Sequence, residues 1–426
     1  MSAKATKNSI IIATCIVIVA VILTTSLILS GVVFRSALAA TSYTITYDAN
    51  GGTLTGSSSV SATAGSTITL PNVSKVGYSA KWIDQTAPSG TAITTASQLA
   101  GISSSGTYYL ANDIDLSGYS SWTPISSFSG TLDGRGFAIK NLKITSGSAK
   151  VGLFAQISGA TIKNIVLENV NINVSSSAQN FGGLVAKITS SSNIVNCKTS
   201  GVITVSTSNS WGILGGICGQ MYGNSNIKNC TNGISITLTS SGNYTYVGGI
   251  VGQAYLGASA IVNSINLGNV KSTGGTSRCG GILGVMYTPS GASEKLIDID
   301  NCYNKGKIDS STYSGGIVGY NSNGSVVLDI NNCFNSGNVG SKSIIGNGDA
   351  TLNNCYYLSG TSGTAQGTAV STVSDLASKF YNNMSSDDKA VWNYTTGSYP
   401  TIKVFDFNLS GNIGDKKFLQ GTLVIP

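Results

Sequence analysis

The sequence predicts an all-β protein whose main body is a right-handed, single-stranded parallel β-helix, a solenoid that adds one coil per repeat. A string of two Gly followed by apolar residues recurs along the chain. It starts at Gly182, Gly215, Gly248, Gly280 and Gly315, so it advances by 33, 33, 32 and 35 residues. Helical repeats share this period, but these segments are short, β-branched and bounded by Gly, Asn and Ser, which is the pattern of strands.

The composition agrees with that fold class. The 426 residues include 53 Gly and no His, and only 10% are charged, whereas a typical soluble domain is about 7% Gly and about 25% charged. Coils stack about 4.8 Å apart, so equivalent residues form columns in which like charges would repel each other. Because His is absent, the sequence contains neither a Ser-His-Asp triad nor an HExxH metalloprotease motif.

A second repeated string contains an Asn that we expect at a tight corner of each coil. Asn tolerates left-handed backbone conformations, and its amide can pair with the next Asn in the column. The predicted structural column consists of Asn164, Asn196, Asn229, Asn263, Asn301, Asn332 and Asn354. Cys follows five of these Asn residues. We interpret the Cys residues as small core filler, with disulfides between coils as the alternative.

The sequence predicts a targeting signal at the N-terminus. An uncharged run covers residues 8–34, and a small-x-small cleavage pattern, Ala37-Leu38-Ala39, follows it. The run is long enough to span a membrane, so residues 1–39 are predicted to be a cleaved signal peptide or a retained signal-anchor helix. Either way, residues 41–426 are expected outside the cytoplasm, in a protein that is secreted or attached to the cell surface. Membrane contact is expected only through an uncleaved N-terminal segment.

Four further regions follow this segment. Residues 41–86 are predicted to form a small β-grasp-like module, and residues 93–358 the β-helix. Residues 359–403 are predicted to be a C-terminal capping segment with one short helix, and residues 404–426 are an unassigned tail. Without the first 39 residues the chain has 21 basic and 17 acidic residues and no cluster of Lys or Arg, so no nucleic-acid partner is predicted.

Both the β-helix and the small module resemble known families. The Gly-Gly-apolar strings, an opening segment over residues 93–134 and a closing segment over residues 371–403 resemble the GLUG repeat, named for its Gly-Leu-x-Gly core. Residues 43–82, with Tyr43-Thr44-Ile45-Thr46-Tyr47-Asp48 and a Trp at position 82, are similar to the internalin B-repeat. Together the resemblances imply an adhesin-like surface protein, and they transfer no catalytic residue.

The candidate binding residues are aromatic. Tyr222, Tyr255 and Tyr287 each follow the second Gly of a pair by six residues, and Tyr320 follows its pair by four. A column of exposed aromatic rings could stack against sugar rings or pack on a protein. The alternative is that stacked rings stabilise the solenoid and cover its flank.

Acidic residues offer the only catalytic alternative. Asp113 and Asp115, like Asp298 and Asp300, are two residues apart and share one strand face. Enzymes with a pectate-lyase-like β-helix use such carboxylates for calcium binding or for acid–base catalysis. The competing interpretation is structural, so no catalytic residue, metal site or cofactor is predicted.

The sequence thus favours a non-enzymatic, adhesin-like extracellular protein. Its expected partners are surface glycans, or proteins of a host or of a neighbouring cell, bound along the flank of the β-helix. Two alternatives remain: a polysaccharide lyase or hydrolase of the pectate-lyase-like type, and a purely structural surface stalk.

Overall fold

The chain divides into two compact units, Gly90–Val404 and the combination of Met1–Ser89 with Phe405–Pro426. The computed structural model describes residues 9–19, 42–48, 53–63, 67–69, 72–74, 78–84, 89–147, 150–255, 257, 259–287, 297–322, 328–402, 417–418 and 422–424. The larger unit is an all-β parallel solenoid, as the repeats predict. Each coil passes through four parallel sheets in turn, which we call sheets 1 to 4. Sheet 3 has six strands, so the complete four-sheet coil occurs six times.

Sheets 1 and 2 meet at the Asn corner of each coil. The strands of sheet 1 are Thr91–Ile93, Thr107–Leu110, Thr131–Asp133, Thr161–Lys163, Asn193–Val195, Asn226–Lys228, Ser259–Val262, Ile297–Asp300, Leu328–Asn331 and Ala350–Asn353. The strands of sheet 2 are Ile114–Asp115, Ala138–Lys140, Lys143–Ile144, Val166–Ser176, Lys198–Thr207, Thr231–Ser240, Ile265–Asn266, Val270–Thr273, Tyr303–Asn304, Ile308–Ser310, Phe334–Asn335, Tyr356–Leu358 and Thr368–Val370.

Sheets 3 and 4 meet at the Gly pairs. The strands of sheet 3 are Lys150–Val151, Asn180–Gly182, Trp211–Gly215, Tyr244–Gly248, Thr276–Gly280 and Tyr313–Gly315. The strands of sheet 4 are Phe154–Ile157, Val185–Ile188, Cys218–Tyr222, Val251–Tyr255, Leu283–Tyr287, Val318–Asn321 and Ile345–Asn347.

The corner between sheets 1 and 2 is left-handed at a single residue. All seven Asn residues of the predicted column have φ between 47° and 56°, a conformation that Asn adopts more readily than most residues. Their amides also bond along the axis. Asn196 donates to Asn164 at 3.2 Å, Asn229 to Asn196 at 3.0 Å, and Asn332 to Asn301 at 2.7 Å.

A second column of amides lies deeper in the solenoid. Thr199 donates a hydrogen bond to Asn232, and Asn232 donates to Asn266. Asn266 in turn donates to Asn304, and Asn304 donates to Asn335. Each of these four bonds is 2.8 Å long. The four Asn side chains are 0% exposed. Each of these Asn residues lies two positions after the Cys or Ser that follows the corner Asn. The repeat therefore carries a buried polar ladder that our interpretation of the sequence missed.

The closing segment packs against the flank of sheet 2. It contains helices α2 (Val373–Asn382) and α3 (Ser386–Ala390), whereas the short helix α1 (Ala96–Ala100) lies near the start of the solenoid. A two-stranded antiparallel pair, Trp392–Asn393 with Thr401–Ile402, ends the segment. One hydrophobic cluster joins the segment to sheet 2. It contains Ile265, Tyr303, Phe334, Tyr356 and Val370 from the sheet, and Leu376, Phe380, Met384, Trp392 and Ile402 from the segment.

The smaller unit is built from short strands. They are Ser9–Val19, Ser42–Asp48, Thr53–Thr55, Ser59–Thr63, Thr67–Thr69, Asn72–Ser74, Tyr78–Asp84, Lys417–Phe418 and Thr422–Val424. The last two pair with strands of the predicted N-terminal module, so the tail that the sequence left unassigned contributes to this unit.

The signal-anchor helix expected from the sequence is not found in the described part of the N-terminal run, Ser9–Val19. Ser9–Val19 is a strand that pairs with Ser42–Asp48 and Tyr78–Asp84. The run is rich in Ile and Val, whose branched Cβ favours extended backbone. Residues 1–8 and 20–41, including the predicted cleavage pattern, lie outside the described residues. Among the residues that the structure describes, no helix is long and apolar enough to cross a membrane.

Candidate functional site

The strongest candidate site is a groove that follows the Gly-pair corner between sheets 3 and 4. Because the chain turns sharply at each pair, one outward-facing residue before the pair meets one after it. Lys150 donates to Gln156 at 2.9 Å across this corner, and the rings of Tyr313 and Tyr320 lie 5.6 Å apart. We define the corner groove by Lys150, Asn180, Ile213, Tyr246, Arg278 and Tyr313 on sheet 3 and Gln156, Lys187, Gln220, Gln253, Val285 and Tyr320 on sheet 4.

The floor of the corner groove is shielded from water, although it lies outside the solenoid core. Ile213, Tyr246 and Val285 form a separate apolar cluster in which no side chain is more than 4% exposed. Beside them the buried amides of Gln220 and Gln253 bond to each other at 2.6 Å. The corner therefore has an apolar and amide floor with polar and aromatic walls.

Three of the four predicted Tyr residues form one stack beside this floor. The ring centroids of Tyr222 and Tyr255 are 4.5 Å apart, and those of Tyr255 and Tyr287 are 5.1 Å apart. All three side chains are half-buried. Tyr320 is in register with Val285 and therefore lies in the wall of the corner groove. Its spacing of four residues from the Gly pair, in place of six, accounts for this shift.

Cations are embedded among these rings. The Arg278 guanidinium lies 4.0 Å from the ring centroid of Tyr320 and 5.4 Å from that of Tyr246, and the Lys187 ammonium lies 4.8 Å from that of Tyr222. Burial, and to a smaller extent the charge of Lys150, lowers the pKa of Lys187. Burial raises the pKa of Tyr246, against an opposing effect of Arg278. The walls thus combine positive charge with aromatic faces.

The charged residues of this site were not predicted from the sequence. Lys150 and Arg278 each precede the first Gly of the corner by two residues, and Lys187 follows its first Gly by five. Only 10% of the residues are charged, so charged residues at fixed distances from the corner Gly could have indicated this site. The residue type changes from coil to coil, so a search for repeated strings does not detect it.

A cavity of about 690 Å³ lies at the start of the corner groove. Its lining includes Trp122, Pro124, Ser146 and Lys150. The Trp122 indole is 2% exposed and donates to the Leu153 carbonyl oxygen at 3.1 Å. Lys150 therefore belongs to both the lining of the cavity and the corner groove.

The acidic pairs do not form a site of this kind. Asp113 accepts from the Ala138 backbone nitrogen and pairs with Lys140, in both cases at 2.8 Å. Asp115 accepts from Ser117 and Asn141. Both carboxylates thus hold the first coils together.

The second acidic pair lies on sheet 1. Asp298 and Asp300 are in register with Asp329 and Asn331, and Asp300 accepts from the Asn331 amide at 2.7 Å. Among the described residues, no group of three His, Cys, Asp or Glu could hold a metal ion.

The buried cysteines give a direct test of the solenoid interior. Seven Cys between Cys197 and Cys355 are free and buried. Burial raises the pKa of the Cys279 thiol to about 12 and also raises that of Cys218. These thiols are therefore neutral and shielded at pH 8, and thiolates are the reactive form. In a Cys15→Ser background, we expect a thiol reagent at pH 8 to modify fewer than one of the seven without denaturant and all seven in guanidinium. Fast modification of two or more in the native protein would contradict the burial.

Comparisons with known proteins point to peptidases. Residues 101–201 match the N-terminal region of the M26 IgA1-specific metallo-endopeptidases. A solved structure from Bacteroides ovatus, provisionally described as an immunoglobulin A1 protease, superposes with a TM-score of 0.51 at 21% identity, over 74% of this chain and 92% of that chain. The structure of an IgA1 protease gives a TM-score of 0.47 at 18% identity, over 77% of this chain and 25% of that chain. No curated protein matches the sequence.

These findings overturn the expected identity and function. The family that matches is a peptidase family, so the assignment to GLUG or internalin repeats and to a non-enzymatic adhesin is wrong. The error has a physical cause. Gly pairs and corner Asn residues meet the steric demands of a tight solenoid corner, as the close approaches at Gly248 and the positive φ values of the Asn column illustrate. Similar strings can therefore arise in different solenoid families, so they report the fold.

A metallo-endopeptidase implies a catalytic metal ion, and the residues present do not fit one. Catalytic zinc in peptidases is held by His together with a carboxylate or another His, and this chain has no His. The Cys column supplies buried thiols at single positions along a line. The match itself is to the N-terminal region of the family, so we derive no hydrolytic step from these residues.

Proposed function

We propose that this protein acts outside the cytoplasm in the cleavage of an immunoglobulin A1-type protein by a metallo-endopeptidase, and that its solenoid is the part that engages the protein substrate. The match of residues 101–201 to the N-terminal region of that peptidase family carries the proposal. The matched segment includes the cavity and the first groove residues, Lys150 and Lys187. The hydropathy of residues 8–34 supports a secreted or surface-attached protein, although Ser9–Val19 is a strand that pairs with Ser42–Asp48 and Tyr78–Asp84.

The surface of the solenoid supports a role in holding a protein. Tyr and Arg are the residue types enriched where proteins bind each other, because they combine large apolar area with a polar group. The corner groove and the adjoining stack of Tyr222, Tyr255 and Tyr287 bring several Tyr residues and Arg278 together on one side of the solenoid. We assign the catalytic metal site to none of the described residues.

Binding of immunoglobulins to the immobilised full-length chain tests the proposal. We expect IgA1 to bind with a Kd of about 10 μM or tighter, which is about −7 kcal/mol, and IgG to bind at least tenfold more weakly. Changing Tyr222, Tyr255 and Tyr287 together to Ser should weaken the binding of IgA1 about tenfold, because three large contacts are lost.

The control is Tyr357→Ser, at a half-buried Tyr of sheet 2 outside the corner groove. It should leave binding within about twofold of the unchanged protein. Absence of IgA1 binding at 100 μM would count against substrate engagement. Cleavage of IgA1 by the purified chain in the presence of zinc would instead show that this chain hydrolyses the substrate. That result would contradict the proposal that the solenoid binds the substrate and does not cleave it.

A further inference from the structure

The charge of the corner groove has one sign. Lys150, Lys187 and Arg278 are its cations, and the described strands of sheets 3 and 4 contain no Asp or Glu. Walls of low polarity concentrate the field of such charges, because less of it is screened by water. Lys187 is half-buried against the Tyr222 ring, and Lys150 is close enough to contribute to its electrostatic environment. An anionic ligand would relieve this accumulation of positive charge.

Two polar atoms of the same groove lack hydrogen-bond partners. The Asn180 side-chain oxygen and the Arg278 Nε–H are both shielded from water and unpaired, and the Asn180 side chain is 4% exposed. One is an acceptor and the other a donor. A polypeptide backbone offers both N–H and C=O groups, which are the two kinds of partner that these atoms lack.

The shape of the corner groove favours an extended chain. Its residues repeat at the coil spacing of about 4.8 Å along the solenoid axis. The rings of Tyr222, Tyr255 and Tyr287 follow the same axis at separations of 4.5 and 5.1 Å. A ligand that lies along the axis therefore meets similar aromatic contacts at three successive coils, whereas a compact ligand would use only one or two coils.

From these observations we infer that the corner groove binds an extended acidic segment of a polypeptide, with carboxylates at Lys150, Lys187 and Arg278 and apolar parts on the Tyr stack. The inference rests on the proposed function, because it names the kind of substrate segment that the solenoid engages. It is specific in charge, in the conformation of the ligand and in the face of the solenoid that is used.

Fluorescence anisotropy with labelled decapeptides tests the inference on the full-length chain. We expect an alternating Glu-Ser peptide to bind, and the matching Gln-Ser and Lys-Ser peptides to bind at least tenfold more weakly. Lys187→Glu should weaken binding of the Glu-Ser peptide at least tenfold, and Lys187→Gln about threefold. Because Lys187 is half-buried, circular dichroism should first verify that both variants keep the β-rich spectrum.

The matched control is Lys228→Glu, which makes the same charge change at an exposed position on sheet 1. It should alter the Kd less than twofold. Equal weakening by Lys187→Glu and Lys228→Glu would overturn the inference, since binding would then depend only on net charge. Equal binding of the Glu-Ser and Gln-Ser peptides, or binding of an acidic oligosaccharide in place of the peptide, would overturn it as well.

A parallel measurement with IgA1 separates this inference from the proposed function. If IgA1 binds and the Glu-Ser peptide does not, the groove inference fails while substrate engagement stands. If the peptide binds in the corner groove and IgA1 does not bind at all, the assignment of the substrate fails while the groove chemistry stands.

Discussion

Gly248→Ala should lower the free energy of unfolding by about 3 kcal/mol or more, a loss typical of severe overpacking. Gly248 is the first Gly of a corner between sheets 3 and 4. A Cβ there would overlap the Val251 carbonyl oxygen and lie 2.7 Å from the Gly284 nitrogen of the next coil. Both obstacles are backbone atoms, so no side chain can rotate to make room. Urea denaturation followed by circular dichroism measures the change.

Gly118→Ala is the matched control for this substitution. A Cβ at Gly118 would meet no atom within 4 Å, so the free energy of unfolding should change by less than about 0.5 kcal/mol. If the two variants unfolded at the same urea concentration, the Gly-pair corner would not be as tight as the structure has it.

Asn304→Ala should also destabilise the solenoid, by about 3 kcal/mol. The Asn304 side chain is 0% exposed and makes four hydrogen bonds, two with Gly306 and one each with Asn266 and Asn335. Alanine removes all four and leaves buried donors and acceptors without partners, each at a cost of about 1–3 kcal/mol before any relaxation. The loss is measured by the same urea titration.

An exposed amide ladder provides the comparison for Asn304. Asn193 is exposed on sheet 1 and accepts from the Asn226 amide at 3.1 Å. Water can replace this bond, so Asn193→Ala should cost less than about 0.5 kcal/mol. A loss of similar size in both variants would show that the stability comes from the number of amide bonds and not from their burial.

The solenoid could be predicted from the sequence because its corners require particular residues in every coil. A Gly pair is needed where backbones approach closely, as at Gly248, and Asn suits the positive φ at positions such as Asn229. Because every coil has the same steric requirements at its corners, the same residue strings recur along the sequence. The anchor helix was expected from hydropathy, which does not distinguish a helix from a strand rich in Ile and Val such as Ser9–Val19.

The corner groove could not be predicted in the same way. The position two residues before the first Gly of the corner is Lys, Asn, Ile, Tyr, Arg and Tyr in successive coils, so no residue type is common to the coils. Its partners across the corner become neighbours only when the chain turns. Tyr320 shows how sensitive such a prediction is to spacing. It lies four residues after its Gly pair, in place of six, and this difference of two residues puts it in the wall of the corner groove and not in the Tyr stack. The similarity to the peptidase N-terminal region over residues 101–201 came only from comparison with known proteins, although that range includes the first repeats.

The closing segment changes how the solenoid responds to force. In a simple stack, each coil contacts only its neighbours, so coils can detach one at a time from an end. Here, Asp388 and Trp392 bond to Asn263, while Asn383 of the same segment bonds to Tyr356. The closing segment thus connects coils that are far apart in sequence. A force that pulls on the C-terminal side of the solenoid would have to detach the closing segment before the coils that it covers could unfold one at a time. We therefore expect these coils to unfold together.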